Sequence, residues 1–262
     1  MTAILTPARG RQLVYRINPV AKLLASFAIS VGILLSVDWV SASVALAAEL
    51  VLCFWSGVSA RRLLVRSWPI LAAAFFAGLT ILLYGTPSGA TYARFLFVHI
   101  TDGSIEFSIA TTLRVIAVAL PAVVLFVTID PTELGDGLAQ LLRLPSRFVI
   151  GALAGLRLVG LFLDDWRSLG FARRARGVAD SGKLRRLLSM AFALLVLSIR
   201  RGSKLATAME ARGFGGATKR TWARPSTFGR AEILLILIAV AVAAGSTAAA
   251  VAAGTWSFFG QQ

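Results

Sequence analysis

Five apolar runs of membrane-spanning length set the fold of this chain, because a single water-excluded core has no room for so many. They are Val20 to Val37, Trp39 to Gly57, Trp68 to Tyr84, Ile109 to Ile129 and Ile233 to Ala253. Composition agrees: the 262 residues are 57% hydrophobic and 15% charged, whereas soluble domains hold about 45–50% apolar and about 25% charged residues. Lys and Arg total 27 against 12 Asp and Glu, a formal charge of +15. That balance suits nucleic acid, anionic lipid or an acidic protein partner, and the hydrophobicity sets nucleic acid aside. The one cysteine, Cys53, lies in an apolar run. It can form neither an intrachain disulfide nor a metal cluster, and reads as a packing residue at lipid depth.

Basic residues give the orientation. Four precede or open the first run (Arg9, Arg11, Arg16, Lys22) and three follow the second (Arg61, Arg62, Arg66). Arg94 follows the third, Arg114 sits inside the fourth, and eighteen fall between Arg143 and Arg230. Short-loop Lys and Arg stay cytoplasmic, which places the amino terminus and residues 131–230 inside the cell and the carboxyl terminus outside. Five spans satisfy that parity. The leading arginines imitate a secretory signal, but a second apolar run follows at once across Asp38, which is a hairpin pattern. Gly85 to Ser108 reads as a mixed outer loop, and Arg114 is expected to snorkel to the headgroups. Glu49 is the one acid within the runs; its plain reading is a carboxylate near an interface or hydrogen-bonded within the bundle.

Residues 131–230 carry the functional signal. Phe148 to Leu163 is interrupted by Arg157, and Leu187 to Ile199 is bracketed by Arg185, Arg186, Arg200 and Arg201. Their lengths suit helices lying at the inner face or packed on each other better than spans. Asp130-Pro131-Thr132-Glu133 opens a short helix running to about Leu144. Pro145-Ser146 opens a long helix that stops at Arg176-Gly177, and after Asp180-Ser181-Gly182 another stops at Arg212-Gly213. The two stops share Ala175-Arg176-Gly177 and Ala211-Arg212-Gly213, at the ends of two helices of similar length. A small residue lets a helix tip approach another surface, the arginine projects a planar cation, and glycine turns the chain away. Such a tip suits an acidic groove on a partner protein. A single copy would be read as an arginine serving the helix dipole or anionic headgroups; the duplication favours the partner.

These paired tips resemble those of the transmembrane T subunit of energy-coupling factor transporters, the uptake systems for vitamins and for cobalt or nickel. Asn18-Pro19-Val20-Ala21-Lys22 is similar to the family's Asp-Pro-x-x-Lys start of the first span, with Asn18 standing where an aspartate is usual. Thr132 to Pro145 resembles the family's short helix ending in Leu-Pro, and Leu156-Arg157-Leu158 its mid-helix arginine. Ala208-Met209-Glu210-Ala211-Arg212-Gly213-Phe214 resembles its second tip. The resemblance implies an all-α integral membrane protein: transmembrane helices 1–4 in residues 1–130, cytoplasmic coupling helices in 131–230, two long and one short, and a last span in 231–262. It further implies a non-catalytic subunit with no cofactor or metal of its own. Its partners would be two ABC ATPase subunits, which hold ATP and magnesium, and a membrane S subunit that binds the substrate. Ala175, Arg176, Gly177, Ala211, Arg212 and Gly213 are the implied ATPase contacts.

Three rival readings are weaker. Gly177 to Lys183 has the spacing of a phosphate-binding loop, but Leu184 stands where Ser or Thr should hold magnesium, and an arginine-rich helix precedes it in place of a buried strand. An integral-membrane enzyme would need a convergent polar site; the only histidine is His99 in the outer loop, and Asp136-Gly137 lacks the neighbouring residues of a CDP-alcohol transferase. A stand-alone ion-driven transporter would show several polar residues within its spans or an inverted repeat.

Overall fold

The computed structural model describes residues 13–35, 38–57, 59–85, 88–95, 98–177, 182–216, 221–222 and 224–255. Arg9, Arg11 and the Asp180-Ser181 turn lie outside them. After a 3-10 turn at Leu13–Arg16 come α1 (Pro19–Leu34), α2 (Trp39–Trp55) and α3 (Ala60–Tyr84). The antiparallel strands β1 (Thr91–Phe95) and β2 (Val98–Thr101) lead into α4 (Asp102–Thr128). Then follow α5 (Pro131–Gln140), α6 (Ser146–Ala175), α7 (Lys183–Ala211) and α8 (Arg230–Ala252). The chain divides into two compact units, one holding residues 135–226 and the other the described residues up to 134 and from 227 onward.

In the second of these, α1, α2, α4 and α8 meet in a core of small and branched side chains: Ala25, Ile29, Ile33, Ala45, Ala117 and Ala239. Alanine lets helices approach closely where hydrocarbon surrounds them and the hydrophobic effect no longer drives association. At Gly32 the helices α1 and α8 approach closely, since an added Cβ would stand 2.6 Å from the Ala243 Cβ. Gly32→Ala is therefore expected to destabilise this unit by about 1–3 kcal/mol through overpacking. Gly151→Ala, with nothing within 4 Å of the new methyl, should be neutral or slightly stabilising because alanine is the better helix former. Thermal unfolding of the two purified variants in detergent checks the contrast; equal melting temperatures would mean that Gly32 is not a packing constraint.

Side chains cap several helix starts, as the sequence suggests for Asp130. Asp38 accepts from the Ser41 backbone N–H at 2.7 Å and from its hydroxyl at 2.6 Å, and Asp130 accepts from the Thr132 N–H at 2.8 Å. Thr101 and Ser104 cap each other at the start of α4, satisfying donors that the first helical turn leaves open.

Three expectations are corrected. The third span begins eight residues before Trp68, at Ala60, so Arg61, Arg62 and Arg66 ride on α3 and not in a loop. Gly85 to Ser108 is not all loop: its β-branched and aromatic residues pair as a hairpin, and α4 starts at Asp102, seven residues before Ile109. Arg114 donates to the Leu34 carbonyl at 2.8 Å, satisfying an acceptor in the last turn of α1. Glu49 is 3% exposed, and neither of its carboxyl oxygens has a hydrogen-bond partner among the described residues.

By length and composition four helical segments can cross a membrane: Leu63–Tyr84, Asp102–Leu125, Ser146–Ala175 and Arg230–Ala252. The apolar helices α1 and α2 are shorter, at 16 and 17 residues. The presence of α6 in this group reflects its continuity, because Arg157 alone does not interrupt a 30-residue helix.

Candidate coupling site at two helix ends

The unit formed by residues 135–226 is built around α6 and α7, each about 45 Å long at 1.5 Å per residue. They touch along a limited seam. Gly170 faces Met190, with a built Cβ 3.8 Å from the methionine methyl; Arg173 donates to the Ser189 hydroxyl, and Arg201 pairs with Asp165. Gly135 of α5 admits Leu153 of α6, whose Cδ1 would lie 2.7 Å from an added Cβ. Gln140 ties down the segment after α7, donating to the Arg224 carbonyl at 2.9 Å and accepting from the Ser226 N–H at 2.8 Å.

Beyond the seam the helix ends project with matching geometry. Arg176 and Arg212 are the C-cap residues, with φ/ψ of −89°/3° and −89°/11°. Gly177 and Gly213 then reverse the chain at φ of +68° and +77°, a conformation that costs a residue with a Cβ roughly 1–2 kcal/mol. At the second tip the Gly213 N–H donates to the Glu210 carbonyl and the Phe214 N–H to the Met209 carbonyl, both at 2.9 Å, the paired bonds of a Schellman stop. At the first, the Gly177 N–H donates to the Arg174 carbonyl at 3.1 Å. The local sequence thus makes one device twice.

All six residues, Ala175, Arg176, Gly177, Ala211, Arg212 and Gly213, are exposed. Three cations of these helices have partners within the chain: Arg173 with Ser189, Arg201 with Asp165, and Arg174 over the Phe171 ring at 5.7 Å. Among the described residues, Arg176 and Arg212 show no such internal partner. A planar guanidinium held at a rigid helix end with its five donors unspent can engage a carboxylate on another surface in a bidentate pair. The phosphate-loop spacing finds no matching frame, since a helix, α6, leads into Gly177; residues 178–181 of that stretch lie outside the described residues.

Asn18 and Lys22 prove to be anchors. The Asn18 side chain caps α1 by accepting from the Val20 N–H at 3.0 Å and donates to the Thr227 carbonyl at 2.9 Å. Lys22 donates to the Thr128 carbonyl at the end of α4, at 3.3 Å. Glu232 completes this junction and was not anticipated: its carboxylate accepts from the Asn18 N–H at 3.1 Å and the Gly229 N–H at 2.8 Å. The one sequence cue was an acid three residues after the cap position, the spacing of a capping box.

The profile of the cobalt transport protein (CbiQ) family matches residues 10–222. Among curated proteins, an energy-coupling factor transporter transmembrane protein (EcfT) of Streptococcus equi is 27% identical over 88% of this chain and 90% of its own length. EcfT proteins of Lactococcus lactis and Listeria innocua are 25% and 28% identical, each over 87% of this chain and 90% of theirs.

Proposed function

Because the chain belongs to the cobalt transport protein (CbiQ) family, we propose that it is the transmembrane coupling subunit of an energy-coupling factor importer. In this reading two ABC ATPase subunits inside the cell hold ATP and magnesium and perform the hydrolysis. A membrane S subunit binds the cargo, a vitamin, a related micronutrient or a transition-metal ion. This chain holds no catalytic or cofactor residue and carries motion between them. The observation that supports this most directly is the duplicated arginine tip: the same exposed Ala-Arg-Gly stop ends both long helices, and neither arginine shows an internal partner among the described residues.

The remaining features fit a lever. ATP-driven closure of the ATPase pair would displace the tips, and stiff 30- and 29-residue helices transmit an end displacement along their length. Their exposed apolar side chains, among them Phe148, Phe171, Leu188 and Phe192, need lipid or protein cover, which the membrane face and the S subunit would supply. We place α6 and α7 at the inner face. Arg147 lies at the start of α6, and Arg173, Arg174 and Arg176 lie at its end, so a crossing would carry one of those basic ends outside, against the positive-inside rule.

Affinity purification of the full-length chain from its own membranes in mild detergent tests the assignment. The expected eluate contains ABC ATPases and a small membrane protein, and its ATP hydrolysis is lost when the ATPases are stripped. A chain that purifies alone yet transports in vesicles under an ion gradient, or that turns over a substrate by itself, would establish one of the rival classes.

A further inference from the structure

A cavity of about 130 Å³ lies between α1, α2, α4 and α8, walled by apolar side chains that include Ala25, Ile29, Leu52, Leu120, Val124 and Leu235. Its size admits several waters or a small organic group. The polar groups on the wall already have partners: Ser26 donates to the Leu23 carbonyl, Ser56 to that of Cys53, Thr128 to that of Val124, and Lys22 to that of Thr128. Glu49 is the exception. It lines the same cavity, is 3% exposed, and both carboxyl oxygens are without a hydrogen bond among the described residues.

Lys22 lines the same cavity but makes no ion pair with Glu49 among the described residues; an ionised carboxylate without donor or paired cation there is far more costly than the neutral acid, and even the acid leaves a donor and an acceptor unspent. Glu49 does not build a metal site, since no group of three or more His, Cys, Asp or Glu residues is assembled among the described residues. The complement to an acid on a hydrocarbon wall is a carbonyl-bearing head on a short apolar chain. We propose that the α1–α2–α4–α8 cavity is a binding site for a small acyl compound whose carbonyl pairs with the Glu49 carboxylic acid. That head belongs equally to a free acyl amide and to the ester of a membrane lipid. The site is independent of the coupling role of the helix tips.

Cys53, the one cysteine of the chain, stands on the cavity wall one helical turn from Glu49 and serves as the reporter. Its alkylation by N-ethylmaleimide would be timed by intact mass in the full-length detergent-purified chain, alone, with hexanamide, and with dihexanoyl phosphatidylcholine. Protection by hexanamide is expected, and by the phospholipid as well if a lipid ester also fits; protection by the lipid alone would assign the site to lipid. Glu49→Gln keeps a neutral donor and acceptor and should preserve protection. Glu49→Leu should weaken the protecting ligand about tenfold, the effect of losing one buried hydrogen bond. Unliganded Cys53 reactivity similar to the parent's shows that each variant keeps the cavity. Protection by neither compound, equal protection in Glu49→Leu, or loss in Glu49→Gln as deep as in Glu49→Leu would each overturn the proposal, the last pointing to an ionised site for a cation.

Discussion

Arg176→Glu combined with Arg212→Glu is expected to strip the ATPase subunits from the purified complex and abolish uptake while leaving the chain folded. Both arginines are exposed at helix ends and show no internal partner among the described residues, so folding has little to lose at either position. In the proposed interface each faces a carboxylate away from water. Truncating one partner of such a pair costs about 2–5 kcal/mol, and reversal adds like-charge repulsion. Each single reversal should therefore weaken ATPase retention by about thirtyfold or more at 1.4 kcal/mol per decade. The double variant should retain essentially none, because neither tip can compensate for the other. Arg173→Glu with Arg174→Glu makes a similar charge change within one helical turn. Those two arginines face Ser189 and Phe171 within the chain, so this control should lose some stability and keep its ATPases. Pull-down and uptake of all variants in parallel is the measurement, and a double variant with normal ATPase retention and uptake would leave the tips as ordinary cytoplasmic anchors.

Glu232→Ala should produce a marked loss of stability. The Glu232 side chain, 9% exposed, accepts at once from the Asn18 N–H ahead of α1 and the Gly229 N–H ahead of α8. Removing it leaves the buried Asn18 N–H without this acceptor, at a cost of about 1–3 kcal/mol, while the exposed Gly229 N–H can turn to water. The start of α1 should loosen from that of α8, and the melting temperature of the purified chain should fall well below that of Glu106→Ala, which removes an exposed acid from α4. Glu232→Gln keeps one acceptor oxygen and should fall between them. Equal melting temperatures for Glu232→Ala and Glu106→Ala would show that the junction is held by apolar contact alone.

Much of the architecture was legible in the residues because hydrocarbon is a demanding solvent: a span must be long, apolar and internally hydrogen-bonded, and that leaves a pattern hard to miss. The starts of α2 and α5 and the ends of α6 and α7 could likewise be placed from Asp38, Asp130, Gly177 and Gly213, since caps and left-handed glycines act over four or five residues. The errors arose where polarity was read as the end of a helix. Arg61, Arg62 and Arg66 lie on α3, because arginine is a good helix former. Nothing in the neighbours of Arg114 along the chain reveals that the Leu34 carbonyl, 80 positions away, stands within reach of its guanidinium.

The sequence by itself determined that this is a helical membrane protein with two like arginine tips, since apolar run length, charge asymmetry and helix-stop grammar are all local properties. Only the tertiary structure decided which polar groups are spent. Arg173 and Arg201 have partners within the chain, whereas Arg176 and Arg212 show none among the described residues; Glu232 is shared by two helix starts, and Glu49 stands without a hydrogen bond beside a cavity. Hydrogen bonds between residues far apart in sequence depend on how helices pack, and small residues such as Gly32 and Ala243 fix that packing only when they meet.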